Sequence, residues 1–516
     1  MSLAKKIVFG AAASWFSRGV SIVLGLVLLP ILFRTLPKEE LGVWLLLGQS
    51  GALLGMLDFG FGVTLTRKIA FATGRAGVAQ ETEFSEASRQ EIADLLATGL
   101  RLYRGLAVCA FLISFGSGYF YLQSLPLAEL NQTSVWIAWG VLCLSQALVL
   151  WAAPWTCLLQ GVGYVGWDAI LTSFVNVLTL LGQILVVLLG GGIVALATAA
   201  GIGALLQRGL ILGFAKRRRP GLFNSVGSWS PQIFKSMLPL ARLAWLTALG
   251  GSLILYSDQF VITSLQGAQE LTSYRAAWVL VHNFTIVAVT FGLASGVFVS
   301  HLWQAGEIAQ VHRLLERNVR IGWLVMLTVS GVMLFAGEAL FRLWLGPGNF
   351  IGLPVLAAFL ITETLETQSC IISAASRATG DEAFAWSSLA AGGLKLGLSI
   401  WLAHHYGLLG VALGTVFALC LTNHWYVPSR GLKSLQYSRW KLVRSTLLPL
   451  AGYLALLSLV LWVVHRWTHN APALWQLSGA VIAASLLLLP VCWFFVLEAH
   501  ERTRLGHRFG FRLSLP

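Results

Sequence analysis

The chain has 516 residues, of which 57% are hydrophobic and 11% charged, and its mean hydropathy is +0.77. A soluble globular protein carries about 25% charged and about 45–50% apolar residues, and disorder needs low hydrophobicity with high charge, so both an ordinary soluble enzyme and a disordered chain are excluded. Yet 35 Lys and Arg against 21 Asp and Glu leave a net charge of +14, so the chain is oily and strongly basic at once.

A helix needs about 20 apolar residues to cross the hydrocarbon core. Such runs occur at 10–33, 41–63, 105–123, 135–158, 168–190, 193–215, 239–263, 274–300, 321–341, 354–377, 385–403, 408–427, 445–465 and 474–497. They predict an all-α polytopic membrane protein with about 14 transmembrane helices. The runs are too long and too uniformly apolar for the alternating strands of an outer-membrane barrel. Lys5 and Lys6 precede a first run that is too long for a signal h-region and has no clear cleavage site, so it is expected to remain as an anchor. Cys109, Cys143, Cys157, Cys370, Cys420 and Cys492 all fall within predicted spans, with no C-x-x-C spacing. They read as packing residues, implying neither a metal nor a disulfide.

The positive charge is unevenly placed. With the N-terminus on side one, that side holds 26 basic residues. They include Lys5, Lys6, Arg67, Lys68, Arg89, the run Lys216–Arg219, Lys235, Arg313, Arg317, Arg320, Arg430, Lys433, Arg439, Lys441, Arg444 and a C-terminal group Arg502, Arg504, Arg508 and Arg512. Side two holds four, Arg34, Lys38, Arg342 and Arg466, while Arg18, Arg208, Arg242, Arg275 and Lys395 lie inside spans. Basic loops stay in the cytoplasm during insertion, so both termini are expected on the cytoplasmic side. The basic residues are spread over short loops, which argues against nucleic-acid binding. Contact with anionic lipid is an added use open to them.

No loop is long enough for a separate domain. The longest, roughly 64–104, has Ser88 and Glu91 in capping-box spacing, followed by Ile92, Leu95, Leu96 and Leu102 at near-helical period. Before span 9, Ile308, Val311, Leu314, Leu315 and Val319 repeat that pattern. Other features recur in the same order. Arg18 lies early in span 1 and Arg242 early in span 7. Leu36, Glu40-Leu41 and Trp44 are matched by Leu265, Glu270-Leu271 and Tyr274, and Phe59-Gly60 by Phe291-Gly292. These matches predict two pseudo-symmetric six-helix lobes related by an axis along the membrane normal. The first is expected over 1–215 and the second over 239–427, with a basic cytoplasmic linker at 216–238. Two more spans and a tail occupy 428–516.

The stretch PILFRTLPKEELGVWLLLGQSGALLGMLDFGFGVTLTRKIAFATGR, residues 30–75, resembles the N-terminal signature of polysaccharide flippases of the multidrug/oligosaccharidyl-lipid/polysaccharide (MOP) exporter superfamily. The features that carry the likeness are the turn at Leu36, Glu40 and Gly42, the aromatic Trp44, and Leu57-Asp58-Phe59-Gly60 before a basic loop. Ser257-Asp258-Gln259 to Tyr274 resembles the matching region of spans 7 and 8. The likeness covers roughly the first 330 residues. It implies alternating-access movement of a lipid-linked oligosaccharide, usually on undecaprenyl pyrophosphate, from the inner to the outer leaflet. It also implies a cationic cavity and coupling to an ion gradient, H+ or Na+, with no catalytic residue and no bound cofactor. The partners it implies are the lipid-linked glycan, membrane lipids and a polysaccharide polymerase or other assembly proteins.

An ionisable side chain in mid-membrane costs roughly 2.5–3.5 kcal/mol on insertion scales, so such residues normally face a cavity or a partner. Arg18, Arg242, Arg275 and Lys395 are the candidates to attract pyrophosphate and anionic sugar, and His282 and Asn283 to hydrogen-bond sugar. Asp58, Asp258, Glu363 and Glu366 are the candidates for ion coupling or gating. Each has a plainer alternative. Arg18 and Arg242 can snorkel to the inner surface. Lys395 can pair with Glu363 or Glu366, which are three apart on one helical face. Asp258 can pair with Arg275, and His282 with Asn283 can be a packed polar pair. Asp58 can cap a helix or pair with Arg67 or Lys68. Trp229, Trp344, Trp440 and Trp467 fit an interfacial belt, whereas Trp15, Trp44 and Trp245 are candidates to line a sugar cavity.

Three other function classes compete. A cation-coupled multidrug exporter of the same superfamily shares the architecture. A membrane glycan ligase or glycosyltransferase would need catalytic residues on external loops, which are short and poor in Asp and Glu. A scaffold would carry buried charge to no purpose. No G-x-x-x-x-G-K-[ST] loop is present, so an ATP-driven pump is unsupported.

Overall fold

The computed structural model describes residues 3–75, 86–125, 127, 130–222, 226–379, 384–497 and 501–502. Arg504, Arg508 and Arg512 lie outside these residues. The described chain is all-helical, and twelve of its helices are long and apolar enough to cross a membrane. It is a multi-pass membrane protein.

In chain order the helices are α1 (Leu3–Thr35), α2 (Lys38–Leu54), α3 (Phe61–Arg75), α4 (Glu86–Gln123), α5 (Gln132–Trp151), α6 (Ala153–Gly161), α7 (Val165–Leu188), α8 (Ile193–Arg218) and α9 (Pro231–Leu265). Next come α10 (Ala268–Ala294), α11 (Gly296–Gln304), α12 (Ile308–Leu345), α13 (Leu353–Ala378), α14 (Ala385–Leu421), α15 (Asn423–Ser434), α16 (Arg439–Leu442), α17 (Leu448–Thr468) and α18 (Ala473–Val491).

Twelve such helices are compatible with the runs seen in sequence. α2 has only 17 residues and falls just short of a full span. α14 doubles back at Gly407, whose φ of 56° is open to a residue without a Cβ. Ser399 Oγ donates to Val411 O across that hairpin at 3.3 Å, and Gly410 packs against the Leu402 backbone. α14 thus contains two of the predicted runs, joined at the short His404–Gly407 connection.

Several expected spans are broken. The run 41–63 ends in a 3-10 turn at Gly55–Asp58, and α3 starts afresh at Phe61. The run 135–158 breaks at Ala152, because Pro154 cannot continue the hydrogen-bond ladder of α5 but suits the first turn of α6. The run 274–300 breaks at Ser295 into α10 and α11. Ser88 is not a helix cap: α4 is already helical at Glu86, and Ser88 is buried within its first turn.

The two amphipathic leaders do run into spans. α4 and α12 are both 38 residues long, about 57 Å at 1.5 Å per residue. Ile92, Leu95 and Leu96 of α4 are buried, as are Val311, Leu315 and Val319 of α12.

Two compact units divide the chain, Met1–Thr272 and Ser273–Pro516. In the first, α3, α4 and α6 enclose a core of Leu65, Ile69, Tyr103 and Leu158, against which Met237 and Ala241 of α9 also pack. Packing therefore groups α9 with the helices before it, whereas the repeat pattern begins its second half there. In the second unit, α12 is central. Gly331 lets Leu457 and Leu461 of α17 approach closely, and Thr328 bonds Tyr453 at 2.7 Å. At the basic end of α12, Arg320 donates to Glu316 at 3.2 Å, to Ser445 O at 3.1 Å and to Phe495 O at 3.3 Å. Tyr437 also hydrogen-bonds Glu316. These bonds fasten α16 and the end of the α18 segment to α12.

Candidate functional site

In the first unit, the Leu57–Gly60 segment forms a tight turn. Phe59 and Gly60 both take positive φ, 51° and 75°. The turn aims the Asp58 carboxylate at the start of α3, where it accepts the Gly62 N–H at 3.0 Å. Tyr103 of α4, fully buried, donates its hydroxyl to the same carboxylate. Of the alternatives for Asp58, the structure therefore displays capping. Phe59 lies 5.3 Å from the Trp245 ring of α9, and a side chain at Gly60 would strike Ala244 and the Trp245 backbone. The other half of the signature is also structural. Glu40 Oε1 accepts the Ile193 N–H at 2.9 Å, capping α8, and Gly42 packs directly on the Ala268 backbone.

In the second unit, α10 and α13 build a polar string through the helices. Arg275, Trp278 and His282 are spaced three and four apart, so they share one face of α10. The buried Arg275 guanidinium lies 4.2 Å above the Trp278 ring. Trp278 in turn stacks on His282, with centroids 4.4 Å apart and planes 13° from parallel. His282 Nδ1 then meets the buried Glu363 carboxylate at 3.1 and 3.3 Å. Glu366, one turn along the same face of α13, lies 3.9 Å from His424 Nδ1 and accepts a 3.4 Å hydrogen bond from Cys370 Sγ. The His424 side chain is only 5% exposed, and neither ring nitrogen hydrogen-bonds another described residue.

This arrangement can hold and hand on a proton. An imidazole and a carboxylate within hydrogen-bond reach share one proton between two sites, and histidine is the side chain whose charge changes near neutral pH. Arg275 adds a fixed positive charge at one end, transmitted through a stacked indole.

Arg18 on α1 and Arg242 on α9 are exposed. Asp258 is buried in α9 of the first unit, and Arg275 is buried in the second. Lys395 is 1% exposed on α14 and Asn283 is half-buried on α10. Trp44 is buried, while Trp440 and Trp467 are widely exposed. Sequence reasoning missed Tyr103, Trp278 and His424. Trp278 carried a signal, the three-four spacing between Arg275 and His282. Tyr103 and His424 carried none, because their partners lie 45 and 58 residues away.

No protein-family model matches the chain, and no curated protein matches it. Solved structures do. A lipid II flippase, MurJ, in an inward closed conformation superposes with a TM-score of 0.68 at 14% identity, covering 98% of this chain and 100% of that one. An inward-facing multidrug resistance MATE family transporter of the MOP superfamily gives 0.65 at 15% identity, covering 83% and 98%. A MOP superfamily transporter from Pyrococcus furiosus gives 0.58 at 15% identity, covering 84% and 97%. At these identities the likeness is one of fold: the chain has the helical architecture of MOP superfamily transporters.

Proposed function

We propose that the chain is a flippase for undecaprenyl-pyrophosphate-linked oligosaccharide. It moves its substrate from the inner to the outer leaflet of the bacterial cytoplasmic membrane by alternating access, for cell-surface polysaccharide synthesis. The observation that carries this reading is the extent of the fold likeness. The lipid II flippase covers 98% of the chain, whereas the MATE transporter covers 83%. The segment 428–516, with α17 and α18 packed on α12, is about a sixth of the sequence.

Arg18, Arg242, Arg275 and Lys395 are the groups proposed to draw in the pyrophosphate and anionic sugars, with His282 and Asn283 able to bond sugar hydroxyls. The His282–Glu363 and His424–Glu366 pairs are proposed to exchange the coupling proton, and Asp58 and Asp258 to serve gating. Both termini are proposed to lie in the cytoplasm, and a polysaccharide polymerase is the proposed assembly partner.

Deletion of the gene, followed by analysis of lipid extracts, tests the reading. Accumulation of an undecaprenyl-linked oligosaccharide on the cytoplasmic side supports it. Normal glycan with altered drug resistance supports instead a cation-coupled multidrug exporter. The acidic and aromatic surroundings of Glu363, Glu366 and Trp278 favour that second reading.

A further inference from the structure

A cavity lies wholly within the first unit, apart from the string on α10 and α13. It has a volume of about 560 Å³ and is walled by α3, α4, α5, α6 and α8. Its floor carries Arg208 of α8. This residue sits ten positions before Arg218, about 15 Å along the helix from the basic end.

Arg208 is held but not saturated. Its Nη1 donates to Thr156 of α6. Its Nε is buried with no hydrogen bond to a described residue. Asp168 of α7 attracts the guanidinium electrostatically without a direct hydrogen bond, and its Oδ2 accepts from Gln160 at 2.8 Å. A half-buried guanidinium with donors left over is matched by an acceptor-rich ligand, because its planar fork fits phosphate oxygens in pairs. Arg67 of α3 also lines the cavity and is exposed, and Gln146 adds an amide. Asp58 also lines the cavity, but Tyr103 and the Gly62 N–H already occupy its carboxylate.

We infer that this cavity binds a phosphate or pyrophosphate group, with Arg208 as the inner donor and Arg67 as the donor at its mouth. The group is that of a lipid headgroup or of a soluble phosphate. The inference does not depend on what the protein transports.

Two probes distinguish the sources. Full-length protein in phosphatidylcholine nanodiscs is titrated with inorganic pyrophosphate by calorimetry. In parallel, native mass spectrometry counts the lipids retained after extraction from phosphatidylcholine membranes doped with phosphatidic acid. Saturable one-to-one binding is expected in at least one arm. It should weaken about ten-fold or more in Arg208→Gln, as loss of a charge-assisted hydrogen bond requires, less in Arg67→Gln, and not at all in the distant Arg439→Gln. Binding of pyrophosphate alone assigns a soluble phosphate, and retention of phosphatidic acid alone assigns a lipid headgroup. No saturable binding in either arm overturns the inference, as does binding that both Arg208→Gln and Arg67→Gln leave intact. If Arg208→Gln does not fold, judged by size-exclusion profile, Arg67→Gln decides, because its side chain is exposed and bears on no core packing.

Discussion

His282 Nδ1 lies 3.1 Å from Glu363 Oε1, on two helices whose residues are 81 apart in sequence. The pair joins a half-exposed imidazole to a buried carboxylate within a span. A carboxylate there is costly to charge and costly to leave unpaired, so it is normally found with a partner or facing a cavity.

If this pair couples transport to a proton gradient, Glu363→Gln removes the titrating group while keeping the shape. The expected result is normal membrane insertion with at least a roughly hundred-fold loss of activity, the low end of what a positioned acid or base contributes. Complementation of a deletion strain, read as surface glycan, checks this. Full glycan from Glu363→Gln, together with full glycan from His282→Gln, would remove the pair from the mechanism.

Trp278 sits between the Arg275 guanidinium and the His282 ring. Replacing it with leucine keeps an apolar side chain but loses both the cation–π contact and the stack. Contacts of this kind are worth about 0.5–2 kcal/mol. Trp278→Leu should therefore lower stability by about that amount, which thermal unfolding in detergent measures. An unchanged unfolding temperature would show that neither the cation–π contact nor the stack contributes.

The Asp58–Tyr103 hydrogen bond joins the turn before α3 to α4 in the core of the first unit. Removing the carboxylate in Asp58→Ala loses a helix cap, about 0.5–2 kcal/mol, and strands a buried hydroxyl, about 1–3 kcal/mol more. Tyr103→Phe should cost only about 1 kcal/mol, because the carboxylate keeps the Gly62 N–H. The double mutant should be less unstable than the sum of the two, since the hydroxyl left stranded by the first change is gone in the second. Strict additivity, measured by denaturant unfolding, would mean the two groups do not interact.

The contrast between what was and was not legible in sequence follows from the range of each interaction. Apolar runs announce spans because hydropathy is local, and the paired leaders of α4 and α12 showed in the same way. The breaks at Gly55–Asp58 and Ser295 did not show, because apolar residues continue on both sides of them. The break at Ala152 had a visible breaker in Pro154. Intramembrane charges could be counted, but their partners could not. Glu363 and Glu366 were visible as one face of a helix, yet the histidines opposite them come from α10 and from the start of α15, at distances in sequence that no periodicity reports.

The signature at Leu36–Trp44 yields the last expectation, because its two polar and small positions have separate jobs. Glu40 supplies the acceptor for the Ile193 N–H, where the positive end of the α8 dipole also favours a carboxylate. Gly42 supplies only space, since a Cβ there would overlap the Ala268 carbonyl. Glu40→Gln should thus be mild, at most about 1 kcal/mol, because the amide oxygen still accepts. Gly42→Val should be severe, since the obstacle is backbone that cannot rotate away, and overpacking of this kind costs about 1–3 kcal/mol or more. Yield and thermal stability of the purified variants measure both. Equal damage from the two substitutions would mean that the carboxylate charge itself, and not the acceptor oxygen, holds the end of α8.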